Sequence, residues 1–229
     1  MPTRTALVTG SAQGIGEATA RRLHSDGLRV VGLDIRPHDG THLAAVFQTD
    51  LADPTAIAEA METVGPVDVL VNNAAILTQV DFDEVTPDVI DVTMAVNFRA
   101  PVLLSQAVLP HMREAGWGRI VNISSIGARH GGRPPSSMYA ASKAALLSLT
   151  RYLAQYNGPH GVTVNAIAPG GISTAMASPV PSPESLAMIP LRRRAEPAEV
   201  ASVVSFLVGD DASYVNGVTL DVNGGRMMV

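Results

Sequence analysis

The sequence predicts a doubly wound α/β fold: a parallel seven-stranded sheet with helices on both faces. Three observations lead there. Seven short β-branched and apolar runs recur along the chain, and longer stretches with helical spacing separate them. Several of the runs are apolar throughout instead of alternating, as strands covered on both faces are. Strand–helix alternation of this kind implies right-handed crossovers that put helices on both sides of one sheet.

The strand candidates in order are Ala6-Leu7-Val8, Val30-Val31-Gly32-Leu33, Ala45-Val46-Phe47, Val67-Asp68-Val69-Leu70-Val71, Ile120-Val121-Asn122-Ile123, Val162-Thr163-Val164 and Val218-Thr219-Leu220. Between them, helical spacing runs from Ile15 to His24, Pro54 to Val64, Pro87 to Arg113, Met138 to Tyr156 and Pro197 to Val208. Asp53 before Pro54 reads as an N-cap followed by proline at the first helical position. The stretch from Thr174 to Pro197 carries Pro179, Pro181, Pro183 and Pro190, so it reads as a loop with at most a short helix at Glu184 to Met188. A loop of that length in a compact domain serves as a lid or binding segment, so 174–196 is the expected substrate loop. Arg192-Arg193-Arg194 within it reads as a solvated patch or subunit contact before an anion site.

At 229 residues the chain fits one domain spanning 1–229. Hydrophobic residues make up 46% and charged residues 16%, which argues against disorder. The net charge of −5 argues against a nucleic-acid binder. Cysteine is absent, which excludes disulfides, thiolate metal sites and a cysteine nucleophile. No uninterrupted apolar run reaches the ~18–20 residues a membrane span needs, and Met1-Pro2-Thr3-Arg4 leads straight into the first strand without a leader-like apolar region. A cytoplasmic location is the resulting expectation.

Chemistry enters at Thr9-Gly10-Ser11-Ala12-Gln13-Gly14-Ile15-Gly16, directly after the first strand and opening a helix. Gly10 permits the tight turn, Gly14 lets backbone approach a pyrophosphate, and Gly16 allows close helix–strand packing. The helix N-terminus offers unpaired N–H groups and positive dipole to a phosphate. A carboxylate is then required at the end of the second strand to bind the adenosine ribose, and Asp34 stands there. An acidic group repels a 2′-phosphate, so NAD is expected over NADP. Arg36 is the counter-argument, set aside because it precedes Pro37 and is expected to point into solvent.

The chain has fifteen arginines and one lysine, Lys143, four residues after Tyr139. On a helix those positions share a face. A free phenol has a pKa near 10, so only ~0.1% is phenolate at pH 7. An adjacent ammonium favours the phenolate and brings proton transfer within reach.

With these residues in hand, the sequence resembles the short-chain dehydrogenase/reductase family over essentially its whole length. The Thr9–Gly16 turn is similar to the family's cofactor loop, and Tyr139 with Lys143 to its active-site pair. Asn72-Asn73-Ala74-Ala75 resembles the signature after the fourth strand, with alanine in place of the last glycine. Asn122-Ile123-Ser124-Ser125 resembles the fifth-strand segment that supplies the catalytic serine. Asn165 through Pro169-Gly170, then Ile172 and Thr174, resembles the segment that grips the nicotinamide side. The tail through Asn223-Gly224-Gly225 also fits, with Asn223 where aspartate is commoner.

The resemblance implies a seven-stranded Rossmann sheet and a catalytic set of Ser125, Tyr139, Lys143 and Asn97. Ser125 would hold the substrate oxygen and Tyr139 would exchange its proton. Lys143 would orient the nicotinamide ribose, and Asn97 would link Lys143 to a water chain. Ser124 is the alternative serine, read as structural because it lies nearer the strand. Cofactor contacts would come from Gly10, Gln13, Gly14, Ile15, Gly16, Asp34, Asp50, Leu51, Asn73, Ala74, Pro169, Ile172 and Thr174, besides Tyr139 and Lys143. The implied function is hydride transfer between NAD(H) and a secondary alcohol or ketone, with a cyclic diol, polyol or sugar acid among the candidates. The implied assembly is a homo-oligomer, tetramer or dimer. A non-catalytic nucleotide-binding protein on the same fold is the alternative, and NAD-assisted epimerisation or dehydration a third reading. His38 and His42 lack a third partner for metal binding. Trp117 reads as a helix-end cap, His130 as an ordinary loop residue, and Met227-Met228-Val229 as packing for a subunit contact.

Overall fold

In the computed structural model, which describes residues 3–177 and 180–228, all seven strands lie in one parallel sheet in the order β3-β2-β1-β4-β5-β6-β7. The strands are β1 (Thr5–Thr9), β2 (Arg29–Asp34), β3 (Ala45–Gln48), β4 (Val69–Asn72), β5 (Gly118–Ile123), β6 (Val162–Pro169) and β7 (Thr219–Val222). The helices are α1 (Gly14–Ser25), α2 (Pro54–Val64), α3 (Pro87–Met94), α4 (Ala100–Glu114), α5 (Gly127–His130), α6 (Ser137–Asn157), α7 (Pro183–Ala187) and α8 (Pro197–Val208).

Strand alternation sorts the core into two layers. Leu7, Val31, Leu33 and Leu70 face one way onto Ile57 of α2, Leu104 and Val108 of α4, and Leu153 of α6. Ala6, Val8, Val69 and Val121 face the other way onto Ala20 and Leu23 of α1 and Val200, Val204 and Leu207 of α8. A central strand buried on both faces has no polar side to present, which is why these runs read as continuously apolar. Removing one fully buried side chain such as Leu7 or Val8 from water contributes about 1.5–3 kcal/mol.

Local chemistry sets the helix ends. Asp53 accepts a hydrogen bond from the Thr55 amide at 2.8 Å and Pro54 opens α2, as its sequence implies. The expected Pro87–Arg113 helix is divided: Ala95–Arg99 forms a π-turn between α3 and α4. Such turns widen the helix by one residue and re-aim the side chains in it, here Asn97. The segment Pro87–Glu114 is apolar and long enough to cross a bilayer by length and composition, but half of its most apolar window is buried inside the fold.

The strand order reverses between β1 and β4. In sheets of this kind ligands bind at that switch point, beyond the carboxyl ends of the strands. A buried polar ladder fixes what overhangs it. Asn72 Nδ2 donates to Asn122 Oδ1 at 2.9 Å, Asn122 Nδ2 donates to Thr150 Oγ1 at 2.9 Å, and Thr150 in turn donates to the Leu146 carbonyl. That chain pins α6, which carries Tyr139 and Lys143, to β4 and β5.

Candidate active site

A cleft of about 470 Å³ opens over the carboxyl ends of the strands, from Asp34 at one end to Ser125, Tyr139 and Lys143 at the other. At its closed edge the turn after β1 is clamped from both sides. Thr9 Oγ1 accepts from the amides of Asn73 and Ala74, both at 3.0 Å, while Asn73 Nδ2 donates to the carbonyls of Thr9 and Gly10 at 2.8 and 3.2 Å. Gly10 has φ +67°, and a Cβ there would sit 2.8 Å from Asn73 Nδ2. A Cβ on Gly16 would run into the Gly10 carbonyl oxygen, so its place is under the turn and not on the cleft wall. Gly14, at φ +59°, faces Thr174 across the cleft. A methyl on Gly14 would crowd Thr174 at 3.2 Å, so the glycine keeps the cleft open where a dinucleotide's pyrophosphate would lie against the start of α1. The cradle fits that group.

Asp34 is buried, and one carboxylate oxygen accepts from the Ala12 amide at 2.9 Å while the other accepts from the Arg36 amide at 3.0 Å. Arg36 is exposed, as its place before Pro37 implied, but it is not free of the cleft. Its guanidinium donates to Gln13 Oε1 at 2.9 Å and lies 3.6 Å from the Asp34 carboxylate. It therefore lines the same cleft. His38 sits on the other side of this corner, its Nε2 2.9 Å from Ser11 Oγ. The sequence carries no local signal for that contact, which joins residues far apart in the chain.

At the reactive end Ser125 and Tyr139 line the cleft together, and Ser125 Oγ accepts from the Gly127 amide at 3.0 Å. Ser124 Oγ instead donates to the Lys143 carbonyl at 2.9 Å, a structural bond that leaves Ser125 facing the tyrosine. Lys143 is buried; its Nζ donates to the Ile123 carbonyl at 2.7 Å and lies 5.8 Å from the centre of the Tyr139 ring. Burial lowers the Lys143 pKa to about 7.

The expected acidification of Tyr139 does not follow from these protein groups. Burial raises its pKa, and the Ser125 hydrogen bond opposes that shift. The lysine does not hold the phenol down because its ammonium is spent on Ile123 and is itself drawn toward neutrality by burial. The Asn97 side chain brackets Ile76, accepting from that residue's amide at 2.9 Å and donating to its carbonyl at 3.0 Å. Its second N–H donates to Ser142 Oγ at 3.0 Å, beside Lys143 in the chain. Asn97 thus shapes the wall of the cleft through Ile76 without lining it.

The other candidates line the cleft in order: Gln13 and Ile15 by the turn, Asp50 and Leu51 after β3, Ala74 after β4, and Pro169, Ile172 and Thr174 after β6. Sequence reasoning missed the contributions of Val96, Met176 and Ala177, apolar residues without a signature. His130 bonds the Gly132 carbonyl and does not line the cleft. Trp117 does cap α4 through its amide to the Met112 carbonyl, and its ring lies under the guanidiniums of Arg4 and Arg119. Arg193 of the arginine run is held by Glu199. No cluster of metal-ligating side chains occurs among the described residues, and Pro179 and Val229 lie outside them.

Residues 10–226 match a family model described as enoyl-(acyl carrier protein) reductase. The chain belongs to the short-chain dehydrogenase/reductase family. This family member is similar to an acetoacetyl-CoA reductase of Shinella zoogloeoides, 37% identical over 240 residues that cover 99% of each chain. Among solved structures, a 3-ketoacyl-(acyl-carrier-protein) reductase from Brucella melitensis complexed with NADH has a TM-score of 0.91 at 30% identity, covering 98% of each chain. A blue fluorescent protein from a metagenomic library in complex with NADPH has a TM-score of 0.88 at 37% identity, again over 98% of each chain. The chain is an oxidoreductase of this dehydrogenase/reductase family with a nicotinamide dinucleotide as its cofactor.

Proposed function

We propose that this oxidoreductase interconverts a ketone and a secondary alcohol with NAD(H), and that Tyr139 exchanges the proton. The observation that carries the reading is that Ser125, Tyr139 and buried Lys143 line the same cleft as the glycine turn and Asp34. When bound, the nicotinamide supplies or accepts the hydride at the substrate carbon. The chain's own groups do the rest. Ser125 Oγ holds the carbonyl oxygen, and the Tyr139 hydroxyl gives that oxygen a proton in reduction or takes one in oxidation. A phenol whose pKa burial has raised is fully protonated near neutrality, so it stands ready to donate in the reductive direction. Lys143, half-charged near pH 7, supplies the compensating positive charge when the phenolate forms.

Asp34 supports NAD(H) over NADP(H), since its buried carboxylate faces the position of a 2′-phosphate. Arg36 is the residue that would accept such a phosphate, but it is committed to Asp34 and Gln13. The substrate is a small molecule, and the relatives' names make 3-oxoacyl thioesters the first class to try, before cyclic diols, polyols and sugar acids. The reading includes a homo-oligomer, with the stacked, exposed pair Tyr152 and Tyr156 on α6 available to a second copy.

The test is a panel of such ketones and alcohols, followed by the absorbance of reduced nicotinamide with each cofactor in turn. Turnover with NADH at a kcat/KM at least about tenfold above that with NADPH is expected. Turnover with NADPH alone would overturn the cofactor assignment, and nucleotide binding without turnover on any carbonyl would overturn the enzymatic one.

A further inference from the structure

Charge along the cleft is distributed unevenly. Among the described residues the charged side chains that line it are Asp34, Arg36, Asp50 and Lys143. Asp34 closes β2, Arg36 follows it, and Asp50 comes just after β3. In the sheet order β2 lies three strands from β5, and β3 lies four. At the ~4.8 Å spacing of strands, these three residues are rooted about 14–19 Å from the strand that leads into Ser125. The fourth, Lys143, is at the reactive end, where its Nζ is committed to the Ile123 carbonyl.

Hydrocarbon surrounds Ser125 and Tyr139 instead. A chain of hydrogen bonds fixes Ile76 beside them. Asn97 brackets the Ile76 backbone and donates to Ser142 Oγ at 3.0 Å, and Ser142 Oγ donates to the Tyr139 carbonyl at 2.7 Å. Val96 precedes Asn97 in the π-turn and also lines the cleft. After β6, the Ala177 amide turns back to the Thr174 carbonyl at 3.0 Å, and Met176 and Ala177 both line the cleft. Met176 does so while 46% exposed, and a large apolar side chain left wet in a binding cleft gains by being covered with hydrocarbon. The polar side chains of this end are few. Ser124 Oγ is spent on the Lys143 carbonyl and Asn73 Nδ2 on the glycine turn, which leaves Ser125, Tyr139 and Thr174 to meet a ligand.

We propose that the substrate presents uncharged hydrocarbon on the flank of its carbonyl that enters this end of the cleft, and that Ile76, Val96 and Met176 set that preference. This rests on the ketone–alcohol reading and narrows its substrate class to ketones with an apolar flank and their secondary alcohols, against polyols and sugar acids. A hydroxyl on that flank loses its water and finds no partner in these three side chains, which lowers kcat/KM by about tenfold for each such group. A carboxylate there meets no cation except an ammonium already engaged, and fares worse. Each methylene gains about fourfold by leaving water. Charged groups remote from the carbonyl, outside the cleft, have no bearing on this preference.

The test uses the whole protein with whichever of NADH and NADPH it binds. Methyl 3-oxobutanoate is lengthened by one and two methylenes, on the acyl side in one series and on the ester side in another. kcat/KM should rise by about fourfold per methylene in at least one series. Methyl 4-hydroxy-3-oxobutanoate, with a hydroxyl where methyl 3-oxopentanoate has a methyl, should fall about tenfold below that ester. The acetoacetate anion and a six-carbon keto sugar acid should lie at least about a hundredfold below methyl 3-oxobutanoate. Met176→Gln, at an exposed position, and Val96→Thr, which keeps the volume, should flatten the rise to about twofold or less per methylene. Fluorescence titration with the cofactor reports that each variant is folded. A preference for the sugar acid, a parent protein indifferent to chain length in both series, or a slope that neither folded variant alters would overturn this inference and leave the ketone–alcohol reading standing. A parent that binds the cofactor and reduces nothing in the panel overturns that reading, and this inference falls with it.

Discussion

Replacing Lys143 by methionine removes a buried ammonium whose pKa is lowered to about 7, against an ordinary value of 10.5. Each pH unit of difference corresponds to about 1.4 kcal/mol, so holding this lysine inside the fold costs on the order of 5 kcal/mol near neutrality. Methionine fills similar space, but it leaves the Ile123 carbonyl without its donor, a penalty of about 1–3 kcal/mol. The variant is therefore expected to be more stable than the parent by a few kcal/mol at pH 7 while losing its activity. The pH dependence has a fixed sign. A lysine whose folded pKa lies below its unfolded one carries fewer protons when folded. Its cost is full below about pH 7 and fades as the pH rises toward 10.5. Urea unfolding of both proteins at a series of pH values reads this out, because every other titrating group cancels in the difference. The variant's advantage should shrink by about 1.4 kcal/mol per pH unit above pH 7. A difference that stays constant with pH would refute the reasoning, since it would mean that the ammonium keeps its ordinary pKa inside the protein.

Two further outcomes follow from the cleft. Asp34→Asn keeps an acceptor for the Ala12 amide but removes the charge and frees Arg36, so NADH affinity should fall by about tenfold while NADPH affinity rises; fluorescence titration with both nucleotides checks this, and an unchanged ratio would count against Asp34 as the discriminator. Asn97→Leu leaves the Ile76 amide and carbonyl and Ser142 unserved, so stability should fall by about 2–4 kcal/mol in urea and kcat should fall with it, since Ile76 lines the cleft.

The parts of this molecule that sequence made legible are those decided by neighbouring residues. Asp53 with Pro54 marks the start of α2, and the glycine spacing from Gly10 to Gly16 marks the turn that Asn73 clamps. Tyr139 and Lys143 reach one cleft because helical spacing puts them there. What the sequence left hidden is decided by residues distant in the chain. Arg36, though exposed, is held at the cleft rim by Asp34 and Gln13, and a following proline carries no information about those partners. The π-turn at Ala95–Arg99 has no compositional mark, yet it sets the direction of Asn97. The direction of the Tyr139 shift was hidden for the same reason: spacing gives proximity to Lys143, but only the packed structure shows the ammonium buried and bound to Ile123 and the phenol desolvated.

The central claim is that the Tyr139 hydroxyl exchanges the proton, and Tyr139→Phe tests it most directly by removing one oxygen from the cleft. The variant should bind NADH within about threefold of the parent while kcat on any accepted ketone falls by about a hundredfold or more. Near-normal kcat in the variant, with NADH binding intact, would contradict the account.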